Sequence, residues 1–271
     1  MDNRAIGVFD SGLGGLSVVR RLLTLLPNEN IVYFGDTGRV PYGTRSPQTI
    51  TRYAEQDCRF LQNYDVKCII AACGTVSSVA ADVLEQLPVP AMGVVRPTAA
   101  AALRATKNGR IGVLGTTATV RSGAFHEALT ATDKNVQVFA KACPLFVSLV
   151  ESGWIERDDE AAIAVARRYL QSFLEQEVDT VVLGCTHFPL LAPLLSDILG
   201  DGVTLVDSGL ACAEACADML SSQNALAERD GGSCRFFVSD RPHDFGELAA
   251  RFLGRPVQEQ VEQIEWDGAE G

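Results

Sequence analysis

The 271-residue sequence lacks a long uninterrupted run of apolar residues and lacks the features of a secretion signal. A membrane-spanning helix needs roughly 18 or more consecutive apolar residues, and no window of this chain approaches that length. The chain passes from "MDNRA" directly into a strand-like "IGVF", without a basic stretch, an apolar core or a cleavage site of small residues. We therefore expect a cytoplasmic protein that has no membrane partner.

Positive charge is also scarce in this chain. It carries 23 Lys and Arg against 34 Asp and Glu, which gives a formal net charge of -11 at pH 7. A protein of this sign repels the phosphates of a nucleic-acid backbone. The remaining composition, 47% apolar and 21% charged residues, is typical of a globular protein with a sizeable core. We expect a small-molecule substrate and no nucleic acid as the primary partner.

The eight cysteines show neither a CxxC pair nor the paired Cys/His spacing of a zinc site. In a cytoplasmic protein they are expected to be reduced thiols, because that compartment keeps thiols from pairing. A disulfide framework is therefore excluded as the basis of the fold, and the spacing predicts no metal.

Strand-like and helix-like stretches alternate along the chain. The stretch "AIGVFD" precedes "GGLSVVRRLLTLL", "NIVYFGD" precedes "SPQTITRYAEQDCRFLQNY", and "VKCIIAAC" precedes "TVSSVAADVLEQL". Strands that are apolar over nearly their whole length, each followed by a helix, indicate a parallel sheet covered on both faces. The predicted fold class is therefore α/β, with parallel-type sheets flanked by helices.

This pattern occurs twice in the sequence. "IGVFDSG" at 6–12 is echoed by "IGVLGTT" at 111–117, and "KCIIAACGT" at 67–75 is echoed by "DTVVLGCTH" at 179–187. The first pair lies 105 positions apart and the second 112, so the repeat has the size of a domain rather than of a solenoid unit. The sequence therefore predicts two α/β domains of similar design, pseudo-symmetric about a central cleft.

The boundary between the two domains is expected near "VVRPTAAAALR", where a proline opens a helix at about residue 97. The chain after "TLVDSG" holds more structure than a tail and less than a third domain. We expect it to return to the first domain, which then comprises residues 1–96 and 208–271. The second domain is predicted to comprise residues 97–207.

Two cysteines end strand-like runs at equivalent places of the repeat, Cys73 in "IIAACGT" and Cys185 in "VVLGCTH". Ligands of open α/β sheets bind outside the carboxyl ends of the strands. Two acid/base groups on opposite sides of one carbon are what stereochemical inversion requires, since one removes a proton and the other supplies one. The alternative is that each is a buried core thiol, the common fate of a free cysteine. Their matched placement favours the chemical interpretation.

Three further candidate functional features lie close to these strand ends in the predicted fold: an aspartate, a loop and a histidine. Asp10 in "FDSGLGG" either contacts a ligand or caps the following helix. The glycines of this segment do not form a dinucleotide-binding fingerprint, because a serine stands where its third glycine belongs. The loop "GDTGRVPYGTRS" either forms a turn or offers the hydroxyl of Tyr42 and the N–H of Gly43 to a carboxylate. His187 is either a helix-start residue or a proton-handling neighbour of Cys185.

These residues together resemble the cofactor-independent glutamate racemases of the aspartate/glutamate racemase superfamily. The matching segments are "GVFDSGLGGLSV", "YFGDTGRVPYG", "IIAACGTVSS", "GVLGTTATVRSGAF", "CPLFVSLVESG", "VVLGCTHFPLL" and "LVDSG". The resemblance implies a two-domain α/β isomerase that binds glutamate between two cysteines. It also implies that the enzyme needs neither a metal nor pyridoxal phosphate. Its product, D-glutamate, would serve peptidoglycan synthesis and thereby cell wall biogenesis and cell shape. A homodimer is one option for its assembly.

The resemblance also assigns roles to individual residues. It implies that the acid/base thiols and the groups assisting them are Cys73, Cys185, Asp10, His187 and Glu151. It implies that the substrate is contacted by Asp10, Ser11, Pro41, Tyr42, Gly43, Gly74, Thr75, Thr186 and His187.

The sequence departs from the family pattern at one position. The family commonly reads Cys-Asn-Thr where this chain reads Cys73-Gly74-Thr75. An unreplaced hydrogen bond to a charged substrate group would cost about 1.5 to 3 kcal/mol of binding. Either the N–H of Gly74 takes over this contact or the substrate differs. The alternatives are therefore a racemase of another acidic or cyclic amino acid, and a glutamate-binding relative without turnover.

Overall fold

The computed structural model describes residues 1–240 and 245–264. In this part of the chain ten strands form, all in parallel pairs. The strands are β1 Ala5–Asp10, β2 Ile31–Gly35, β3 Val66–Ala71, β4 Ala91–Gly93, β5 Arg110–Gly115, β6 Gln137–Ala142, β7 Thr180–Leu183, β8 Thr204–Asp207, β9 Cys234–Val238 and β10 Val261–Gln263.

Within residues 1–240 and 245–264, twelve α-helices connect and cover these strands. They are α1 Leu16–Leu25, α2 Pro47–Gln62, α3 Gly74–Val79, α4 Ala81–Glu85, α5 Val95–Ala105, α6 Thr117–Ser122, α7 Ala124–Thr132, α8 Pro144–Glu151, α9 Glu160–Glu175, α10 Ala192–Leu199, α11 Ser208–Ser222 and α12 Phe245–Leu253. Short 3-10 turns span Thr37–Arg39, Tyr42–Thr44 and Phe188–Leu191. No helix in the described ranges is long and apolar enough to cross a membrane.

The strands form two separate sheets. One has six strands in the order β10-β9-β2-β1-β3-β4, and the other has four in the order β6-β5-β7-β8. The central strands β1 and β3 are buried along their whole length, as parallel strands covered on both faces should be. The predicted α/β class, with parallel sheets flanked by helices, is therefore confirmed.

The largest buried apolar cluster joins the two sheets. It contains Ile6 and Val8 of β1, Val181 of β7 and Phe146 of α8, all of them fully buried. Because helices and strands of both sheets contribute to this one cluster, the carboxyl ends of β3 and β7 are held near each other.

Local sequence explains where the helices that flank the site begin. Ser46 is the N-cap of α2, and its hydroxyl oxygen accepts a hydrogen bond from the N–H of Thr49 at 3.3 Å, ahead of Pro47 at the first helical position. Asp207 caps α11 by accepting from the N–H groups of Gly209 and Leu210. The boundaries predicted for the two domains stay a prediction, and 241–244 and 265–271 of the first one lie outside the described residues.

Candidate active site

The two predicted cysteines lie directly beyond the carboxyl ends of strands in different sheets. Cys73 follows β3 at the N-cap position of α3, and Cys185 follows β7. Both side chains are almost completely buried, with 5% and 6% of their surface exposed. The thiols lie close enough to interact electrostatically, since Cys185 is among the groups that raise the pKa of Cys73. The two strand ends therefore bring both thiols into one region of the molecule.

Burial keeps Cys73 in the thiol form at neutral pH. Loss of hydration and the nearby carboxyl of Asp10 raise the pKa of Cys73 to about 12, above its ordinary value of 9.0. The thiol donates to the hydroxyl oxygen of Ser11 at 3.5 Å. A Cys73 thiol can donate its proton, and its role in catalysis stays a prediction.

Asp10 ends β1 beside Cys73 and is 1% exposed. Its Oδ2 accepts a hydrogen bond from the N–H of Gly12 at 3.0 Å, and burial raises its pKa while His187 opposes that rise. The N-cap of α1 is Gly15, and no side chain caps that helix. Asp10 is therefore not the helix cap that the sequence left open as an alternative, and its carboxyl points into the site.

Cys185 lies next to a buried imidazole. His187 Nδ1 is 3.8 Å from Cys185 Sγ, and His187 Nε2 is 3.0 Å from Oε1 of Glu151 at the end of α8. Burial by itself lowers the pKa of His187, but the contacts to Cys185 and Glu151 outweigh it and raise the pKa to about 10. An imidazolium is thus available beside Cys185, and a cation at this position stabilises a negatively charged sulfur.

The ring of His187 is fixed from a third side. Phe252 of α12 packs edge-on against it, with ring centroids 4.9 Å apart. His187 also precedes the 3-10 turn Phe188–Leu191 at the N-cap position, but its side chain makes no capping bond. His187 therefore starts a helical turn, and its side chain lies next to the Cys185 thiol; its part in proton transfer stays a prediction.

The loop after β2 places Tyr42 differently from the sequence expectation. The Tyr42 hydroxyl contacts Asp36 and lies 3.1 Å from Oδ2 of Asp57, and both carboxyl groups are fully buried. Burial and these two acids raise the pKa of Tyr42, so the phenol stays protonated. The hydroxyl is engaged by one carboxyl group of the loop and one of α2, and a contact of Tyr42 with the substrate stays a prediction. Pro41, immediately before, is exposed.

A hydroxyl group that the sequence reasoning missed joins the site from the second sheet. Thr116 Oγ1 lies 3.0 Å from Thr75 Oγ1, so the two oxygens share a hydrogen bond. In the internal repeat, Thr116 occupies the place that Ser11 has in "IGVFDSG", and an alignment of the two repeats points to it. Thr186 completes the hydroxyl set, with its Oγ1 3.4 Å from His187 Nδ1.

Glycines allow the two cysteine segments to touch. An ideal Cβ built on Gly74 would lie 2.2 Å from the carbonyl oxygen of Gly184 and 3.7 Å from Cys185 Cα. A Cβ on Gly43 would lie 2.9 Å from Thr116 Cβ. The site therefore has no room for a side chain where the family pattern has asparagine.

The structure thus gathers most of the predicted residues between the carboxyl ends of strands from the two sheets. Those whose side chains or backbone meet around the two thiols are Asp10, Ser11, Gly43, Cys73, Gly74, Thr75, Glu151, Cys185, Thr186 and His187. Among residues 1–240 and 245–264, no three His, Cys, Asp or Glu side chains lie together in a way that could hold a metal ion.

Comparison with known proteins identifies the chain's relatives. The family model described as Asp/Glu/Hydantoin racemase matches residues 6–216. A glutamate racemase of Geobacter metallireducens is 45% identical over 253 residues, 93% of each chain. A glutamate racemase isoform of Bacillus anthracis has a superimposable structure, with a TM-score of 0.93, 33% identity and coverage of 98% of this chain and 99% of that one.

A second structure carries a ligand. The glutamate racemase of Francisella tularensis, solved in complex with D-glutamate, matches with a TM-score of 0.91 and 36% identity over 99% of this chain and all of that one. The family match covers far more than half of the chain, so the predicted class of enzyme, an amino-acid racemase and thus an isomerase, is confirmed. The chain belongs to the Asp/Glu/Hydantoin racemase family.

Proposed function

We propose that this protein is a glutamate racemase that interconverts L- and D-glutamate, with Cys73 and Cys185 as its two acid/base groups. The observation that carries this proposal is the pair of buried thiols beyond β3 and β7, each with its own polar companion. The similarity to proteins named glutamate racemase, one of them solved with D-glutamate, supports the substrate.

The two thiols start from different protonation states in this proposal. In the proposed direction Cys185 acts as the base, with the His187 imidazolium beside it, and Cys73 acts as the acid, because its pKa is raised to about 12. Cys185 removes the Cα proton, and the electron pair of the broken bond stays on Cα. Cys73 then donates its proton to the opposite face. The enzyme ends with a Cys185 thiol and a Cys73 thiolate, the state from which the other enantiomer reacts.

The site must also stabilise the carbanion, because a Cα proton is far less acidic than a thiol. A closed, water-poor site strengthens every electrostatic interaction within it, and fixed donors need no reorganisation during the reaction. In this proposal the substrate carboxylates accept hydrogen bonds from the hydroxyl groups of Ser11, Thr75, Thr116 and Thr186. Holding Cα between both sulfurs contributes further, up to about 7 to 11 kcal/mol of the barrier for ideal positioning.

We extend the proposal to the domain organisation. Residues 1–96 and 208–271 form the domain of Cys73, and residues 97–207 form that of Cys185, with the substrate in the cleft between them. Sheet membership supports this division, because β5 to β8 make one sheet and the other six strands make the second.

The cellular role follows from the proposed reaction. The enzyme works in the cytoplasm, without metal or organic cofactor, and supplies D-glutamate for peptidoglycan synthesis and thereby for cell wall biogenesis and cell shape. A homodimer is the proposed assembly.

The proposal is tested by incubating the purified protein with L-glutamate and, separately, with D-glutamate. Chelator is present, no cofactor is added, and chiral chromatography follows both enantiomers. We expect each enantiomer to give the racemic mixture. Aspartate and a cyclic acidic amino acid complete the panel, because Gly74 leaves the substrate preference open. Absence of turnover with both glutamate enantiomers, alongside glutamate-induced thermal stabilisation, would instead indicate a binding protein.

A further inference from the structure

Gly74 and Gly184 bring the backbones of the two cysteine segments into direct contact. Gly74 is the first residue of α3 and follows Cys73, and Gly184 precedes Cys185. We propose that this glycine contact sets the separation of the two sulfurs, which makes Gly74 a positioning residue of the reaction. The inference rests on the proposed two-thiol function.

The geometry at Gly74 leaves no space for even the smallest side chain. Its ideal Cβ would lie 2.2 Å from the Gly184 carbonyl oxygen and 3.2 Å from the Gly184 carbonyl carbon. Real Cβ atoms essentially never approach another heavy atom within 3.0 Å. The obstructing atoms belong to the backbone, which cannot rotate away as the end of a side chain can. A side chain here must therefore push the Cys185 segment away.

Two other glycines make contacts of the same kind across the cleft. A Cβ on Gly14 would meet the side chains of Thr186 and His187, and a Cβ on Gly43 would meet Thr116. All three glycines come from the segments of the six-stranded sheet, and all their contacts belong to the four-stranded sheet's side of the site. The narrow gap is thus a property of the whole cleft, with the closest approach next to the two thiols.

The contact also accounts for the absence of a side chain at the position after Cys73. The Gly184 carbonyl oxygen occupies the place in which a side chain of residue 74 would begin. An asparagine here would add a hydrogen-bonding group and at the same time separate the thiols. The two explanations of Gly74 therefore predict opposite results. If the chain has merely lost a hydrogen bond, restoring the asparagine should raise kcat/KM, whereas the present inference predicts that the asparagine lowers kcat.

The kinetic test compares Gly74→Ala and Gly74→Asn with Gly202→Ala, an exposed control whose Cβ would meet nothing within 4 Å. An alanine must move the two cysteine segments apart by about 0.8 Å, so that its Cβ lies 3.0 Å instead of 2.2 Å from the Gly184 carbonyl oxygen. A 1 Å misplacement of reacting groups can lower the reaction rate about 100-fold. We expect kcat to fall about 10- to 100-fold in both Gly74 variants while KM changes less than about threefold.

A second kinetic readout separates positioning from mere destabilisation. The primary isotope effect of Cα-deuterated glutamate on kcat should increase in both Gly74 variants, because proton transfer over a longer distance becomes more strongly rate-limiting. A variant that is only less stable keeps the wild-type isotope effect. The inference is overturned if Gly74→Ala retains kcat within about twofold, or if Gly74→Asn raises kcat/KM.

Crystal structures test whether the Gly74–Gly184 contact sets the separation of the segments, and this test does not depend on measuring racemisation. In the wild type with glutamate bound, the Gly184 carbonyl must lie against Gly74 Cα, and in Gly74→Ala the two segments must move apart by about 0.8 Å. A wild-type structure with water between these segments overturns the inference even if no variant folds. Failure of the wild type to racemise glutamate refutes the proposed function alone, because the structural comparison still stands.

Discussion

Replacing Glu151 by glutamine tests how the cation beside Cys185 is maintained. Glutamine retains the size of the side chain and an oxygen that can accept from His187 Nε2, now 3.0 Å from Glu151 Oε1. Only the negative charge is removed. Because that charge favours the imidazolium, its loss must lower the pKa of His187 from about 10.

The size of this change follows from the exposure of the two partners. The side chain of His187 is 10% exposed, but that of Glu151 is 47% exposed, so solvent screens much of their attraction. We therefore assign the pair about 0.5 to 1 kcal/mol, the range of exposed ion pairs, rather than the value of a buried one. Since 1.36 kcal/mol corresponds to one pH unit, the pKa of His187 should fall by about half a pH unit.

The titration of His187 can be followed directly by NMR of the imidazole nitrogens. The chain has three histidines, and a His187→Asn variant identifies the signal. The wild-type resonance should titrate near pH 10 and the Glu151→Gln resonance at lower pH. The upper limb of the pH profile of kcat/KM should move in the same direction, because the variant loses the His187 imidazolium, the cation next to the reacting sulfur, at a lower pH.

Glu156→Gln provides the matched control, since it makes the same change on an exposed acid of the following segment. It should leave the titration of His187 unchanged. The reasoning is refuted if wild-type His187 titrates near its ordinary value of 6.5, or if Glu151→Gln leaves the pKa unchanged or raises it.

Two further substitutions probe the thiols and the loop after β2. Cys73→Ser and Cys185→Ser should each lower kcat for racemisation by about 100- to 10,000-fold, the range of general acid/base catalysis. Their circular dichroism spectra should be unchanged. Cys58→Ser, a substitution of a buried cysteine outside the site, is the control and should keep its activity. Full activity in either site variant would remove that residue from the mechanism. Tyr42→Phe deletes a hydroxyl that contacts two buried carboxyl groups and should cost about 1.5 to 3 kcal/mol in urea unfolding. An effect no larger than that of Tyr53→Phe, the same change on the half-buried ring beside it, would argue against this network.

Much of the site could be predicted from the sequence because it depends on strand ends. Ligands of parallel α/β sheets bind beyond the carboxyl ends of the strands, and the repeat puts Cys73 and Cys185 at that place in each of the two sheets. The same rule placed Asp10 beside Cys73, and the structure shows that it does not cap α1. The repeat also contained the signal for Thr116, at the place of Ser11, which was overlooked.

Other features depend on contacts between distant segments and leave no trace in local sequence. The Tyr42 hydroxyl meets Asp57 only because α2 packs beside the loop, so the sequence suggested a ligand contact instead. The fit of Gly74 against the Gly184 carbonyl depends on how the two sheets approach each other. The sequence shows that residue 74 is a glycine without a side chain. It does not show that the Gly184 carbonyl group occupies the space where that side chain would begin.

The most direct test of the two-thiol reaction is the fate of the Cα proton during early turnover of L-glutamate in D2O. Two separate acid/base groups predict that the first D-glutamate formed carries deuterium at Cα, supplied by the second thiol, while the remaining L-glutamate still carries protium. Deuterium entering both enantiomers equally from the start, or D-glutamate that retains the original protium, would contradict the account.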